Sequence, residues 1–197
     1  MSIYAKRPRL RSGAFCVQTS LSVMLSLIRQ TMRYCLLFAA LLLLGSCSRT
    51  TVYVVRHAEK VDESDSASLS AAGQARAVAL ADLMASRRIS RILTTPYRRT
   101  RQTAEPLARR LGLPIETYPA APVQLGVDRI NRLRNQTVLV VGHSNTILEL
   151  VRGLGATPAL TRVNASDFSN LFRVSIRRSP FRRSVTVQEA RYGQPTP

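Results

Sequence analysis

The stretch TVYVVRH at residues 51–57 has a close counterpart in TVLVVGH at residues 137–143. Each begins with a run of apolar and β-branched residues, which is typical of a strand buried on both faces of a parallel sheet. Segments with the apolar spacing of helices lie between these and other short strand candidates. This alternation predicts an α/β fold, a three-layer α/β/α sandwich around a mostly parallel central sheet.

The chain beyond residue 50 alternates strands and helices without an internal linker. The first predicted helix follows Ser70, a suitable N-cap, and the second is closed by Gly112 and Pro114. The last two strands flank an Arg-rich turn with Pro180, which predicts an antiparallel hairpin at the sheet edge. The predicted strands are 51–55, 91–93, 114–117, 137–141, 170–176 and 184–189, and the predicted helices are 71–88, 100–111, 123–133 and 145–154.

The first 46 residues have the composition of an export signal. The ten apolar residues 35–44 follow a region with six cations and no acid, and they are too few for a membrane-spanning helix, which takes about 20. Their length fits the hydrophobic region of a secretory signal. Residues 44–47 (LGSC) resemble the lipobox of bacterial lipoproteins, in which the cysteine is acylated. We therefore expect residues 1–46 to be removed, with lipid on Cys47 and a tether over residues 47–50.

Lipid on Cys47 would hold the protein in the cell envelope, at the outer membrane if the organism has one. The alternative is an uncleaved signal anchor in the inner membrane, beginning near residue 21. Its interruption by Arg29 and Arg33 is costly inside hydrocarbon. Translation can start at Met1, Met24 or Met32, and the sequence leaves this choice open. A start at Met32 would leave residues 1–31 untranslated.

The net charge of +18 comes almost entirely from arginine, and it falls to +12 without the six cations before residue 47. A surplus of this size is compatible with binding to nucleic acid or to an anionic membrane surface. The arginines are dispersed, with no lysine-rich tail and no aromatic residues interleaved among them. We expect no specific nucleic-acid partner, and a basic protein that binds nucleic acid or anionic lipid is kept as a further alternative class.

The chain has two histidines, His57 and His143, and each stands two residues beyond the last apolar residue of a predicted buried strand. The carboxyl ends of parallel strands meet at one sheet edge, where open α/β folds bind ligands, so the imidazoles are expected to converge. A third strand, 91–93, ends at the same edge before three arginines within residues 98–101. Imidazoles, guanidiniums and helix N-termini together predict a pocket for a tetrahedral oxyanion such as phosphate.

A metal site is the alternative chemistry for the same residues. His57 and Glu59, with the distant His143, fit the two-histidine, one-carboxylate set of non-haem iron. Arg56 and Arg99 would then crowd a doubly charged cation, which is unfavourable because like charges repel. We therefore expect no metal and no other cofactor.

At these residues the sequence resembles the histidine phosphatase superfamily, whose fold is like that of phosphoglycerate mutase. Three motifs carry the resemblance, which covers nearly the whole chain beyond residue 50. Residues 56–59 (RHAE) match the Arg-His-Gly signature with Ala58 in place of glycine, residues 95–104 (TPYRRTRQTA) match the second arginine motif, and residues 142–145 (GHSN) match the second-histidine motif. Alignment to the QTA end of the second motif selects Arg99 over its neighbours.

The resemblance implies a phosphatase in which His57 is the nucleophile and forms a phosphohistidine that water hydrolyses. Arg56, Arg99 and His143 would hold the equatorial phosphate oxygens and offset charge in the transition state. The substrate would be a small phosphorylated compound, and its identity stays open.

The residue that would protonate the leaving group also stays open. Acid-phosphatase relatives have an aspartate directly after the second histidine, where this chain has Ser144, and mutase-like relatives have a glutamate before that histidine. The candidates here are Glu59, Glu116 and Asp128. A substrate with a good leaving group, such as a phosphoramidate or an acyl phosphate, would need little help. The alternative is a non-catalytic phosphate-binding or regulatory domain of the same fold.

In this interpretation the histidine phosphatase domain covers residues 51–189. A flexible tail is expected over residues 190–197. The oligomeric state is left open by the sequence.

Overall fold

The computed structural model of the chain describes residues 16–44 and 47–195, and it divides into two units at residues 46 and 47. The described part of the first unit is helix α1 (Cys16–Leu44), whose large apolar side chains between Val23 and Phe38 are exposed. Among the helices of the described residues, none has both the length and the hydropathy that a membrane span needs. Residues 1–15 and the lipobox positions 45 and 46 lie outside the described residues, so the signal, its cleavage and the lipid stay predictions.

The second unit is built around two adjacent parallel strands, β1 (Ser48–Arg56) and β4 (Thr137–Gly142). These are the two strands that carry the histidine motifs at their carboxyl ends. The other elements, in chain order, are α2 (Ala71–Ala85), β2 (Arg91–Thr94), α3 (Arg98–Leu111), β3 (Ile115–Thr117), α4 (Val123–Arg132), α5 (Ile147–Gly153), β5 (Asn170–Arg178) and β6 (Arg183–Arg191).

The six strands form one sheet in the order β3-β2-β4-β1-β5-β6. The four strands from β3 to β1 in this order are parallel, whereas β5 runs antiparallel to β1 and β6 antiparallel to β5. The prediction of an α/β fold with a mostly parallel central sheet flanked by helices is confirmed. The predicted antiparallel hairpin also lies at the edge of the sheet.

Successive residues of β1 pack into two different cores on opposite faces of the sheet. Val52 and Val54 belong to a core that contains the buried residues of α4 and α5. Tyr53 and Val55 belong to a second core, which contains buried residues of α2 and α3. Burial on both faces accounts for the unbroken apolar run in the sequence. The buried hydrophobic side chains of the described residues all lie between Val52 and Tyr192, so the second unit has its own core.

Three helix bounds differ from the predicted ones by a few residues, each for a local reason. Helix α3 begins at Arg98, because Tyr97 has the extended backbone of an N-cap. Helix α2 ends at Ala85, and the chain turns through Arg88 at a φ of 53°. Helix α5 begins at Ile147 rather than at residue 145, because the hydroxyl of Thr146 accepts a hydrogen bond from the amide of His143.

The tail predicted from residue 190 begins too early, because the chain stays packed beyond that point. Strand β6 continues to Arg191, and Tyr192 is 5% exposed, with its amide donating to the carbonyl of Ser169 over 3.0 Å. The buried guanidinium of Arg76 donates to the carbonyls of Tyr192 and Gln194 over 2.9 and 2.8 Å. The sequence did not reveal this because the segment has one large apolar residue and no periodicity.

Candidate active site

His57 and His143 lie next to each other at the carboxyl edge of the sheet. His57 is the first residue after β1 and His143 the first after β4, and the pairing of these strands puts Arg56 opposite Gly142. The amide of His57 donates to the carbonyl of Gly142 over 2.9 Å, which extends the ladder beyond the strands. The imidazole centroids are 5.4 Å apart, so both rings can contact the same small ligand.

The tautomer of His57 follows from a contact with its own backbone. Ring atom Nδ1 is 2.8 Å from the carbonyl oxygen of Ala58. A carbonyl oxygen only accepts hydrogen bonds, so the proton of the neutral ring is on Nδ1 and a lone pair is on Nε2. The residue is 4% exposed, so packing holds the ring in this orientation. Nε2 is therefore the ring nitrogen of His57 that has an available lone pair.

Ala58 stands where the family signature has glycine, and its methyl group is fully buried beside Leu69 and Ala77. Its amide donates to the hydroxyl oxygen of Thr103 over 3.0 Å, and that hydroxyl donates to the carbonyl of Arg99 over 2.7 Å. These two bonds connect the turn that contains His57 to α3, the helix that carries Arg99. The departure from glycine is thus accommodated by packing.

Burial keeps both imidazoles neutral near neutral pH. Desolvation is the main cause that lowers the pKa of His57 from 6.5 to about 3. The hydrogen bond to Ala58 acts in the opposite direction, and neighbouring basic groups lower the pKa further. Desolvation, followed by the charges of Arg99 and Arg56, lowers the pKa of His143 to about 4. A neutral His57 is the form required for nucleophilic attack.

Arg56 ends β1, and the loop before β5 holds its guanidinium. Nη1 donates to the carbonyl oxygens of Ala165, Asn164 and Asp167 over 2.6, 3.1 and 3.2 Å. The guanidinium carbon lies 3.9 Å from the ring centroid of Phe168, which is a cation–π contact. Carbonyls and a ring thus position the guanidinium in the cavity wall, where its charge can attract an anion.

Arg99 lies in the first turn of α3 and is 9% exposed. Its Nη1 donates to the carbonyl of Asp65 over 2.9 Å, and its guanidinium carbon is 4.4 Å from the ring centroid of Tyr97. The Asp65 carboxylate is 3.9 Å from Nη2 and 91% exposed, which makes this a weak ion pair. The preceding Arg98 is exposed and does not line the cavity, so the structure brings Arg99 to the site.

The ring of His143 is positioned by a threonine from the end of β2. The hydroxyl of Thr95 is 2.9 Å from Nε2 of His143, and it is also 3.0 Å from the hydroxyl of Thr100. Both threonines are fully buried. The ring of Tyr97 meets that of His143 edge-on at a centroid distance of 5.0 Å. The second histidine is thus held by the same segment that leads to Arg99.

These side chains line a cavity of about 780 Å³. Its wall includes His57, His143, Arg56 and Arg99, and it also includes Lys60, which is paired with Glu63. Both cavity arginines have a buried Nε with no acceptor within the described part of the chain. The cavity is larger than a phosphate group, so it can also hold part of the group to which the phosphate is attached.

The carboxylates proposed as proton donors are not available in the cavity. Glu59 touches its wall, but Nε and Nη2 of Arg76 donate to its carboxylate over 2.7–2.9 Å. Glu116 forms ion pairs with Arg91 and Arg129 and does not line the cavity. Asp128 accepts from Gln124 on α4 and does not line it either. The structure therefore does not bring Glu116 or Asp128 to the site.

The two-histidine, one-carboxylate set does not come together. The carboxylate of Glu59 is bound by Arg76. Among residues 16–44 and 47–195, no three His, Cys, Asp or Glu side chains form a cluster that could hold a metal ion. Arg56 and Arg99 line the same cavity as the two histidines.

Four residues of the site were not assigned a role by the sequence. Thr95 and Tyr97 belong to the quoted arginine motif, and their position just before Arg99 is the signal that could have found them. Phe168 and Asp65 lie in loops without a recognisable pattern. Their contacts with Arg56 and Arg99 depend on long-range packing, so only the fold reveals them.

Comparison with known proteins gives a family match over the first half of the domain. Residues 52–121 match the model of the histidine phosphatase superfamily (branch 1). The uncharacterized protein Rv0525 of Mycobacterium tuberculosis is 39% identical over 77 residues, which cover 36% of this chain and 38% of that protein. The chain thus spans less than two fifths of the length of the curated relatives it matches. His143 lies beyond the residues matched by the family model.

Solved structures extend the similarity to most of the chain. The protein histidine phosphatase SixA complexed with tungstate has a TM-score of 0.56 at 24% identity, over 72% of this chain and 96% of that one. The "putative phosphohistidine phosphatase SixA from Agrobacterium tumefaciens" has a TM-score of 0.50 at 26% identity, over 74% and 98%. The fold and the paired histidines define an α/β protein of the phosphoglycerate mutase type. The chain is thus similar to the histidine phosphatase superfamily in sequence over residues 52–121 and in fold over most of its length.

Proposed function

We propose that this chain is a phosphatase that hydrolyses a phosphomonoester or a phosphoramidate through a phosphohistidine on His57. The observation that carries the proposal is the 2.8 Å contact between Nδ1 of His57 and the carbonyl of Ala58. It leaves Nε2 unprotonated in the wall of a cavity that also contains Arg56 and Arg99. A neutral nucleophile beside two guanidiniums is suited to a phosphoryl group.

In the proposed first step, the lone pair of Nε2 attacks phosphorus in line with the leaving group. An N–P bond forms as the bond from phosphorus to the leaving oxygen or nitrogen breaks, and the leaving atom takes that electron pair and a proton from solvent. In the second step a water molecule attacks phosphorus, loses its proton to solvent, and returns the N–P electron pair to Nε2. The proton stays on Nδ1 of His57 throughout, donated in a hydrogen bond to the Ala58 carbonyl, so the same tautomer is regenerated.

Charge stabilisation would come from groups that are already in position. Arg56 and Arg99 are held by backbone carbonyls and aromatic rings, and His143 is held by Thr95. Donors fixed in advance need little reorganisation when charge develops on the phosphoryl oxygens. Most of the catalysis would therefore be positioning and electrostatics.

The leaving group would depart without a dedicated carboxylic acid. Glu59 is bound by Arg76, and Ser144 follows the second histidine. Phosphoramidates with a protonated nitrogen, acyl phosphates and aryl phosphates have leaving groups that need least protonation. The similar structure from Agrobacterium tumefaciens is named for phosphohistidine, a phosphoramidate, and this supports that substrate class.

We also propose that the domain works outside the cytoplasm and is anchored by lipid on Cys47. The support is the apolar run 35–44 followed by the LGSC sequence at residues 44–47. Cells expressing the full chain and fed a radiolabelled fatty acid should label it, and Cys47→Ala should lose the label. An intact-mass measurement that retains residues 1–46 in the mature protein would instead support the signal anchor.

A second candidate is a non-catalytic phosphate-binding or regulatory domain. It is favoured because no carboxylate among the described residues lining the cavity is placed to act as an acid. Glu59 is bound by Arg76, and Glu63 is largely exposed beside Lys60. Such a domain would bind a phosphate analogue without turnover.

The deciding experiment uses residues 48–197, which contain the sheet and its cores, as wild type and as His57→Ala. Arg98→Gln is the matched control, because Arg98 is exposed outside the cavity. All three proteins are assayed on para-nitrophenyl phosphate, an alkyl phosphate, acetyl phosphate and phosphoramidate, with and without EDTA. Quenching in alkaline detergent then preserves any phosphohistidine, and acid treatment of a duplicate sample tests whether the bound phosphate is acid-labile.

The proposal would be supported if the wild type and the control turned over substrate while His57→Ala did not. It would also be supported by an acid-labile phosphoenzyme in the wild type. Equal rates in the wild type and His57→Ala would remove His57 as the nucleophile. Binding of vanadate without turnover would favour the second candidate. Loss of activity in EDTA would establish a metal requirement.

A further inference from the structure

The hairpin of β5 and β6 ends in a strongly basic turn with an exposed aromatic ring. Residues 177–183 (RRSPFRR), which we call the basic hairpin tip, contain four arginines. The amide of Ser179 donates to the carbonyl of Arg182 over 2.8 Å, and the Ser179 hydroxyl accepts from the amide of Arg182 over 3.0 Å. This turn presents Pro180 and Phe181 to solvent, and Phe181 is 90% exposed.

The charge of the basic hairpin tip is not neutralised by carboxylates. Two more arginines lie beside it: Arg49 is paired with Arg177 in the sheet, and Arg134 lies near Arg178. The six arginines are Arg49, Arg134, Arg177, Arg178, Arg182 and Arg183. Within the described part of the chain, none of them has a carboxylate oxygen within 4.0 Å. The surface therefore has a concentrated positive charge around one exposed ring.

Neutral groups hold part of this cluster in place. Arg178 donates to the backbone and side-chain carbonyl oxygens of Asn131 over 3.3 and 3.1 Å. Arg183 donates to the carbonyl of Leu154 over 2.7 Å. Burial, followed by the charges of Arg134 and Arg183, lowers the pKa of Arg178. Like charges are thus kept close together without a counter-ion from the protein.

The basic hairpin tip adjoins the point where the chain enters the domain. In the pairing of β1 with β5, Ser48 lies opposite Arg178, so Cys47 is next to the tip. His57 follows the other end of β1, whose nine residues span about 30 Å. A tether at Cys47 and the basic hairpin tip therefore lie at one end of the domain, and the candidate active site lies at the opposite end.

We propose that the basic hairpin tip binds the surface of a membrane containing anionic phospholipids, with Phe181 inserted among the headgroups and the arginines on their phosphates. An exposed aromatic ring gains from burial in the interface, and each basic side chain near an anionic surface adds attraction. Attachment of the preceding segment to the same membrane would raise the local concentration of the tip there. This surface goes beyond the proposed phosphatase and does not depend on its chemistry.

Nucleic acid fits this surface less well. The tip is a protruding turn with one aromatic ring, whereas proteins that bind single strands use a groove with several stacking rings. Arginines can contact guanine edges in a duplex, so binding of duplex DNA is measured as a competing outcome of the test. The preference for a lipid surface also rests on the proposed lipid anchor, which would hold the adjacent Cys47 at a membrane.

The test measures flotation of residues 48–197 with vesicles of phosphatidylcholine alone or mixed with phosphatidylglycerol. The variants are Arg177→Gln/Arg182→Gln and Phe181→Ser, all at exposed positions. The matched control is Arg98→Gln/Arg101→Gln, which removes the same charge at the opposite edge of the sheet. Thermal unfolding verifies that each protein is folded, and activity on a soluble phosphate ester is recorded separately.

We expect the wild type to float with the mixed vesicles and not with phosphatidylcholine alone, and added salt to weaken this binding. The double arginine variant should bind about 30-fold more weakly and Phe181→Ser about tenfold more weakly, while the control binds like the wild type. The proposal would be overturned if the wild type did not float, or if the control lost as much vesicle binding as the double arginine variant. It would also be overturned if Phe181→Ser bound vesicles like the wild type, or if the same arginines bound duplex DNA more tightly than vesicles. Loss of phosphatase activity alone would bear on the proposed function and not on this surface.

Discussion

The guanidinium of Arg76 donates to both carboxylate oxygens of Glu59, with Nε 2.9 Å from each and Nη2 2.7 Å from Oε1. Glu59 lies two residues after His57, and Arg76 also donates to the carbonyls of Tyr192 and Gln194. One buried side chain thus connects the turn after His57, helix α2 and the last described segment of the chain. Its role is structural, and it withdraws Glu59 from proton transfer.

Breaking this pair on one side should strongly destabilise the domain. Arg76→Leu leaves the largely buried carboxylate of Glu59 unpaired, which costs about 3–5 kcal/mol in the free energy of unfolding. Urea unfolding of residues 48–197 measures the loss. The double variant Arg76→Leu/Glu59→Leu should recover much of it, because no buried charge is then left. A double variant as unstable as the single one would contradict the pairing.

Arg99 and Arg98 should differ sharply although they are neighbours. Arg99 lines the cavity and Arg98 is exposed outside it. If Arg99 binds the phosphoryl group in the transition state, Arg99→Gln should raise the barrier for kcat/KM by about 2–4 kcal/mol, as loss of an oxyanion donor does. Arg98→Gln should keep the wild-type value in steady-state kinetics. Equal effects of the two substitutions would argue against a specific role for Arg99.

Thr95 should act as a positioning residue for His143. Thr95→Val keeps the shape but leaves Nε2 of His143 without the hydroxyl at 2.9 Å, so kcat/KM should fall and the free energy of unfolding should drop by about 1–3 kcal/mol. Thr95→Ser, which retains a hydroxyl, should restore both. The ring proton resonances of His143 should shift in Thr95→Val while those of His57 stay in place. Unshifted His143 resonances would speak against the contact.

The stability of the domain should decrease as the pH falls from about 6.5 towards 4. Both histidines of the unfolded chain titrate near 6.5, whereas in the folded domain the pKa of His57 is about 3 and that of His143 about 4. The unfolded state therefore takes up protons that the folded state excludes. The contribution of the neutral imidazoles is complete above pH 6.5 and is lost as the pH falls towards the folded values.

Urea unfolding at a series of pH values checks this dependence. The double variant His57→Asn/His143→Asn serves as the control, since it lacks both titrating rings. Its free energy of unfolding should vary less steeply over the same pH range. Identical slopes for the two proteins would assign the acid sensitivity to other groups.

The alternation of buried strands and helices, and the position of each histidine after a strand, could be predicted from the sequence. Apolar runs such as 51–55 and 137–141 have few alternatives to a strand buried on both faces, and parallel pairing brings their ends to one edge. The choice of Arg99 over Arg98 came from a motif and agrees with its place in the cavity wall. The helix ends were less predictable because local turns and caps decide them.

The amino-acid sequence by itself therefore determined the fold class and the pair of histidines at the sheet edge, because both follow from local apolar patterns and the rule that parallel strands end at one edge. Only the tertiary structure decided which groups surround them. The ion pair of Arg76 with Glu59 and the carbonyls that hold Arg56 join segments far apart in the chain. The structure also keeps Glu116 and Asp128 away from the cavity. Such relations depend on strand register and packing, which no local pattern contains.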